Sequence, residues 1–125
     1  GSGGIIVANE RTCALDLVRV LAEFNQDESC GKCFPCRMGT RHVWEILERI
    51  AEGHGKPGDI DKMLAIGETM LSSLCGHGQL GGNPIRSAVR YFREEMEAHV
   101  KEKRCATGTC AGLAAPAVAA AGARP

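Results

Sequence analysis

The sequence predicts an all-α fold, a four-helix up-down bundle, from two observations. Apolar side chains recur at steps of three and four in four stretches between residues 9 and 103, which is the spacing of one face of an α-helix. Short linkers containing glycine, proline or asparagine separate these stretches, and short connections favour antiparallel neighbours. The length of 125 residues suits one ordinary domain. We therefore expect a single helical domain over residues 9–103.

A short segment of a different character precedes the helices. Residues 1–8, GSGGIIVA, place three β-branched residues after glycines, a pattern typical of a strand. One strand alone has no partner with which to pair. We therefore expect residues 1–8 to be the strand remnant of a preceding domain, or to join a sheet in another polypeptide.

The first two helices flank a segment that contains three cysteines. Asn9 or Thr12 is a suitable cap for the first helix, which we expect to end between residues 25 and 29. The second helix is expected to begin within or just after the cysteine segment and to stop at Gly53. The apolar stripes that predict these helices are Leu15, Val18, Leu21 and Ala22 in the first, and Val43, Ile46, Leu47 and Ile50 in the second.

The third and fourth helices each follow a turn-forming segment. Asp59 is a suitable cap for the third helix. Asn83 and Pro84 suit the N-cap and the first position of a fourth helix that ends near Lys103, and the glycine-rich residues 76–82 before it are expected to form a flexible loop. The apolar stripe of the fourth helix is Ile85, Ala88, Val89, Phe92 and Met96.

The last part of the chain has no helical pattern. Residues 104–125 are rich in alanine, glycine and proline and contain two cysteines. Because the segment lacks a charge pattern and an apolar stripe, we expect most of it to be a disordered tail.

Composition excludes several classes of function. The chain carries 15 basic and 15 acidic residues, and only 4% of its residues are aromatic, so it offers no basic footprint or stacking platform for nucleic acid. It contains no apolar run long enough for a membrane span and no signal peptide. We expect a cytoplasmic protein, and in a reducing cytosol its seven cysteines indicate metal binding rather than disulfides.

Three cysteines recur at three-residue intervals in the segment ESCGKCFPCRMG. The spacing of Cys30, Cys33 and Cys36 suits a chain that wraps three corners of an iron–sulfur cubane, with the fourth ligand coming from elsewhere. In an up-down bundle the third helix returns to the end where these cysteines lie, and it brings Cys75 there. We therefore expect one [4Fe–4S] cluster on these four residues. Zinc held by the three cysteines with an external ligand, and redox-active thiols, are the alternatives.

Several motifs together resemble a known family. They are GSGGIIV, ESCGKCFPCRMGT, ILERIAEG, SLCGHGQ and NPIRSAVRYFREEMEAHV. They are similar to the C-terminal part of the flavin-carrying, NADH-oxidising subunit of respiratory complex I, and to its relatives in NAD-linked formate dehydrogenases and in bifurcating or bidirectional hydrogenases. The resemblance implies a four-helix bundle with one [4Fe–4S] cluster that takes electrons from flavin mononucleotide. It places Cys30, Cys33, Cys36 and Cys75 on the four ligand positions of the family.

The resemblance also implies what this chain lacks. In the family the regions that bind FMN and NAD(P)H lie upstream, and the present sequence contains no glycine-rich nucleotide-binding fingerprint. We therefore expect that the chain alone does not oxidise NADH. Its expected partners are a flavin- and NADH-binding domain or subunit and the other iron–sulfur subunits of an oxidoreductase complex. The alternative is a non-catalytic structural or assembly module, a metal-stapled bundle that docks a partner subunit.

The remaining cysteines are expected at the opposite end of the bundle. Cys13 begins the first helix, while His99, Cys105 and Cys110 lie at or after the end of the fourth. Three cysteines and one histidine form the ligand set of a structural zinc site. The segment KRCATGTC also resembles KRCPAGVC of hydrogenase relatives, where it leads into a ferredoxin-like region. The alternative is that Cys13 is a core residue, His99 is solvated and the other two are free thiols of the tail.

Overall fold

The computed structural model describes residues 4–114, which contain five helices. These helices are α1 (Ala14–Asp27), α2 (Phe34–Ala51), α3 (Asp59–Met70), α4 (Gly76–Leu80) and α5 (Asn83–Lys101). The four long helices are those that the sequence predicts, and no strand occurs between residues 4 and 114. The predicted all-α class is therefore confirmed. None of these helices combines the length and the apolar character that crossing a bilayer requires.

The long helices form a ring around one core. Helix α1 packs against α2 and α5, and α3 packs against the same two helices. The predicted stripes supply most of the residues of the core cluster, because a face that repeats every three or four residues points inward along the whole helix. The side chains without solvent exposure in the core include Leu15, Leu47, Ile50, Met63 and Met96, with Ile85 almost as deeply buried. The up-down direction of each helix stays a prediction.

Phe92 departs from the predicted stripe of α5. Its backbone lies at φ −131° and ψ 31°, so α5 is interrupted there and its final part takes a new direction. The Phe92 side chain is 52% exposed, whereas Met96, one turn later, is fully buried. The prediction that Phe92 belongs to the core is wrong, because the interruption turns it away from the core face.

The helix caps differ from the predicted residues. Helix α1 is capped by Cys13 rather than by Asn9 or Thr12. Gly58 caps α3 with φ 85°, and Asp59 is the first helical residue instead of the cap. The Asp59 carboxylate accepts hydrogen bonds from the Arg49 guanidinium and from the backbone N–H of Lys56, at 2.5 and 2.7 Å. The carboxylate that the local pattern assigns to capping α3 thus binds a side chain of α2 and the loop before α3 instead.

The start of α5 and the loop before it also differ. Gly82 precedes α5, and Asn83 is already helical. The glycine-rich segment predicted as a flexible loop contains the short helix α4. Glycine is required at Gly82 for packing, because a β-carbon there would lie 2.8 Å from the Cα of Gly67 in α3.

Residues 104–114 are ordered and belong to the core, so the prediction of a disordered tail is wrong for them. Backbone hydrogen bonds of 3.1 Å join Cys105 to Ala114 and Ala114 to Lys103. Cys105, Cys110 and Leu113 are buried in the main apolar cluster. Residues 104–114 are ordered because two thiols and one leucine are buried. The spacing of these three side chains has no helical period, so the sequence pattern does not reveal them. Residues 115–125 of the predicted tail lie outside the described residues.

The N-terminal segment before α1 exposes its apolar side chains. Ile5, Ile6 and Val7 are exposed and belong to no strand within the described part of the chain. The predicted strand over residues 1–8 therefore has no pairing partner here, and residues 1–3 lie outside the described range. That it pairs with a sheet of another polypeptide stays a prediction.

The burial of Leu47 makes a test of this core. Replacing Leu47 by alanine should lower the free energy of unfolding by about 2–5 kcal/mol, because a cavity remains where the side chain was packed. The matched control is Leu80→Ala, at a leucine that is 61% exposed. This substitution should change the free energy of unfolding by roughly 0.5 kcal/mol or less. Urea unfolding followed by circular dichroism measures both, and equal effects would contradict the described core.

Candidate metal centres

The cysteine motif forms the connection between α1 and α2. Gly31 has φ 69° and turns the chain, and Arg37 braces the turn by donating a hydrogen bond of 3.0 Å to the Gly31 carbonyl. Cys33 caps α2, and Cys36 lies in its first turn. Cys33 and Cys36 therefore lie at the N-terminus of α2, the end at which the helix dipole favours negative charge, and Cys30 lies three residues before Cys33 in the connection.

The segment that carries Cys75 packs against the start of α2. Cys75 caps α4, and a β-carbon on Gly78 would lie only 2.9 Å from the Cβ of Cys36. His77 fixes the same helix to α1 through a hydrogen bond of 2.9 Å between its Nε2 and the carbonyl of Asn25. The residues on both sides of Cys75 thus lie next to the cysteine motif, at the end of the bundle where the sequence places them.

The four cysteines of this centre differ in exposure. Cys36 is 3% exposed and its Sγ lies 3.3 Å from the Ser29 hydroxyl, whereas Cys30 and Cys75 are exposed and Cys33 is intermediate. The backbone N–H of Leu74 is the main cause of a lowered pKa at Cys33. A lowered pKa favours the thiolate, which is the form that binds metal. None of these cysteines is in a disulfide, so all four are available as ligands.

A second group of ligand-type residues lies where the two ends of the helical region meet. The ligand atoms of Cys13, His99, Cys105 and Cys110 all lie within 4.8 Å of one another. Cys13 Sγ is 3.2 Å from His99 Nε2 and 3.8 Å from Cys110 Sγ. All four residues are buried. The structure thus brings together the complete set of residues that the sequence assigns to the far end of the bundle.

Glu95 orients two members of the second group. The His99 Nδ1 donates a hydrogen bond of 2.7 Å to the Glu95 carbonyl, which leaves Nε2 facing Cys13. The Glu95 carboxylate accepts the N–H of Ala14 at 2.8 Å and thereby holds the start of α1, directly after Cys13. Such partners behind the ligands fix the tautomer and direction of a metal-binding histidine.

The charge state of this group suits a cation. The hydrogen bond from Cys110, together with that from His99, lowers the pKa of Cys13 to about 3, and the same contact raises the pKa of Cys110. Burial is the largest single influence on the pKa of His99 and lowers it, but the hydrogen bonds to Cys13 and to the Glu95 carbonyl and the charge of Cys13 together outweigh burial and raise the pKa to about 9. The buried negative charge on Cys13 is thus balanced by a protonated imidazole, a role that a divalent cation would take over.

Sequence reasoning missed three residues that support these centres. Ser29 and Ser73 stand within two positions of cysteines predicted to bind the cluster, and Glu95 stands four residues before His99, on the same face of α5. Closeness to a ligand is the signal that could have identified them. It is a weak signal, because serine and glutamate are common in loops and on helix surfaces.

Comparison with known proteins identifies the family of the chain. Residues 16–99, from α1 to the last turn of α5, match the family model described as the NADH-ubiquinone oxidoreductase-F iron–sulfur binding region. The chain is therefore a helical iron–sulfur binding domain. It belongs to the NADH-ubiquinone oxidoreductase-F iron–sulfur binding family, in agreement with the predicted resemblance. The matched range includes Cys30, Cys33, Cys36 and Cys75, whereas Cys13, Cys105 and Cys110 fall outside it.

Two curated relatives illustrate this similarity. The chain is 41% identical over 114 residues to the HndC subunit of the NADP-reducing hydrogenase of Solidesulfovibrio fructosivorans, covering 90% of this chain and 23% of that protein. It is also 41% identical over 106 residues to the F subunit of the NADH-quinone oxidoreductase of Mycobacterium tuberculosis, covering 84% of this chain and 24% of that protein. The chain thus spans about a quarter of the length of these relatives.

A solved structure has the same fold. An NAD+-reducing [NiFe]-hydrogenase in the H2-reduced state superposes with a TM-score of 0.73 at 36% sequence identity, over 76% of this chain and 17% of the matched chain. The relatives that share this iron–sulfur binding domain are thus hydrogenases and NADH-quinone oxidoreductases.

Close packing at Gly78 makes a test of the first centre. Replacing Gly78 by alanine should lower the iron content and reduce the free energy of unfolding by about 1–3 kcal/mol, because the new methyl group meets Cys36 and Ser73. Gly76→Ala, in the same short helix, is the matched control, since a β-carbon there has no neighbour within 4 Å. Iron analysis and thermal unfolding measure the difference, and equal behaviour of the two variants would contradict the described packing.

Proposed function

We propose that the chain is an electron-transfer module that carries one [4Fe–4S] cluster on Cys30, Cys33, Cys36 and Cys75. The observation that carries the proposal is the packing of the Cys75 segment against the cysteine motif. Gly78 touches the Cys36 side chain, and the Leu74 N–H interacts with Cys33. Soft thiolates at this spacing favour an iron–sulfur cluster. A bound cluster would supply a one-electron redox centre.

The protein's own part in this function is to hold the cluster, bury one side of it and leave another side near the surface. Cys36 and Ser73 are buried, while Cys30 and Cys75 are exposed. Electron transfer to a partner needs a short path from the cluster to the surface, and the exposed ligands provide one. The N-terminus of α2 and the hydrogen bonds from Leu74 and Ser29 stabilise negative charge at the site.

The partners follow from the relatives' names and from the length of the match. The named relatives are one subunit of an NADP-reducing hydrogenase and one of an NADH-quinone oxidoreductase, and this chain matches about a quarter of each. We propose that FMN and NAD(P)H bind to another domain or subunit, and that this domain relays electrons between the flavin and further iron–sulfur clusters. We place this assembly in the cytoplasm, where thiols remain reduced, in keeping with seven cysteines outside any disulfide.

We also propose a structural zinc ion on Cys13, His99, Cys105 and Cys110. The supporting observation is that four buried ligand atoms converge within 4.8 Å from three separate parts of the chain. Three thiolates and one imidazole within this distance suit a tetrahedral structural zinc ion, whose four ligands all come from the protein. The ion would join the start of α1, the end of α5 and residues 104–114. The alternative function, a structural module that docks a partner through its exposed N-terminal segment, keeps this zinc ion and lacks the cluster.

Iron content and spectroscopy distinguish the two functions. The chain purified without oxygen should contain about four iron atoms, absorb visible light and give a paramagnetic signal on reduction, since these are properties of a [4Fe–4S] cluster. Iron analysis, optical spectra and electron paramagnetic resonance measure them. A colourless chain that contains zinc alone would exclude the electron-transfer function and support the structural one.

Exchanging one ligand at each centre tests the two ligand sets separately. Cys75→Ser should abolish the four-iron spectrum and leave zinc at about one atom per chain, because serine replaces one of the four cluster thiolates. Cys105→Ser is the matched control, and should lower zinc while leaving iron in place. Metal analysis of both variants gives the result. A Cys75→Ser variant with an intact cluster would refute the proposed ligand set, and unchanged zinc in Cys105→Ser would refute the second.

A further inference from the structure

Ser73 is a buried residue whose hydroxyl is left without a partner. The residue is 4% exposed, and its Oγ makes no hydrogen bond among residues 4–114. Its backbone is fully engaged, because the N–H donates to the Met70 carbonyl at 3.0 Å and the carbonyl accepts from Gln79 Nε2 at 2.9 Å. The residue is thus held firmly in place by its main chain, while its side-chain donor remains unused.

An unused buried hydroxyl requires an explanation, because leaving it unpaired costs free energy. Most buried polar groups in folded proteins have a partner, and the binding of a further group at the site is one recurring reason for an exception. The other buried unpaired atoms in the described part of the chain are nitrogens of Trp44, Arg49 and Arg86. Ser73 is the hydroxyl among them, and it stands two residues before a proposed cluster ligand.

The position of the hydroxyl relates it to the first centre. Ser73 Oγ and Cys36 Cβ lie 2.5 and 2.9 Å from one point, the place that a β-carbon on Gly78 would occupy. The orphaned donor therefore lies beside the side chain of Cys36, in the first turn of α2. A sulfur of a bound cluster would give this hydroxyl the acceptor that it lacks among residues 4–114.

We propose that the Ser73 hydroxyl donates a hydrogen bond to a sulfur of the bound cluster, and thereby raises the reduction potential. This inference rests on the proposed function, because it requires a cluster on the four cysteines. Hydrogen bonds to the sulfurs are one of the main influences on iron–sulfur potentials. The reduced cluster carries one more negative charge than the oxidised cluster. A donor at its sulfur therefore stabilises the reduced form more, and burial strengthens the effect.

The test compares two neighbouring serines in the full 125-residue chain. Ser73→Ala removes the proposed donor, and we expect its midpoint potential to shift to a more negative value. Ser72→Ala is the matched control, because the Ser72 hydroxyl is exposed and already donates to the Thr69 carbonyl at 2.7 Å. Its potential should equal that of the unaltered chain. Redox titration followed by electron paramagnetic resonance gives each potential, and iron analysis gives the cluster content.

The outcomes separate failure of this inference from failure of the proposed function. An unaltered chain that binds no cluster overturns the proposed function, and this inference with it. A cluster of unchanged potential in Ser73→Ala, or a potential shifted to a less negative value, overturns the inference alone and leaves the cluster in place. If Ser73→Ala holds less iron, the potential is still read from the fraction that gives the signal, because a midpoint potential does not depend on occupancy.

Discussion

The close approach of α4 to the first turn of α2 is the contact on which the arrangement of the cluster end depends. Gly78 lies against the Cys36 side chain with no room for a methyl group, and His77 of the same helix is hydrogen-bonded to a backbone carbonyl near the end of α1. One short helix therefore joins the two segments that flank the cysteine motif. It also begins at Cys75, so its placement decides where the fourth thiol lies.

The opposite end of the bundle is organised by buried polar groups instead of by a close backbone contact. Cys13, His99 and the two cysteines of residues 104–114 meet in the core, and Glu95 holds both the start of α1 and the imidazole. These contacts join the beginning and the end of the helical region. The residues that follow α5 are thereby held in the core, and Gly112 lies against Gly53 at the end of α2.

The sequence predicts the features that depend on periodicity. Apolar stripes identify the four long helices, and their number and order place Cys75 at the end of the bundle that holds the cysteine motif. The sequence does not predict the features that depend on contacts between distant residues. The caps Cys13 and Gly58, the interruption at Phe92 and the order of residues 104–114 all arise from tertiary packing. A single hydroxyl such as that of Ser73 becomes informative only when its burial and its lack of a partner are known.

The unequal exposure of the two cysteine groups has a chemical consequence. Cys30 and Cys75 are open to solvent, whereas every residue of the group at the other end is at most 3% exposed. Oxidation of cysteine requires access by the oxidant as well as thiolate character. Dissolved oxygen and peroxide therefore reach one end of the molecule far more easily than the other. The cysteine motif is therefore the end that is more open to oxidation, whereas burial shields the thiols of the other group.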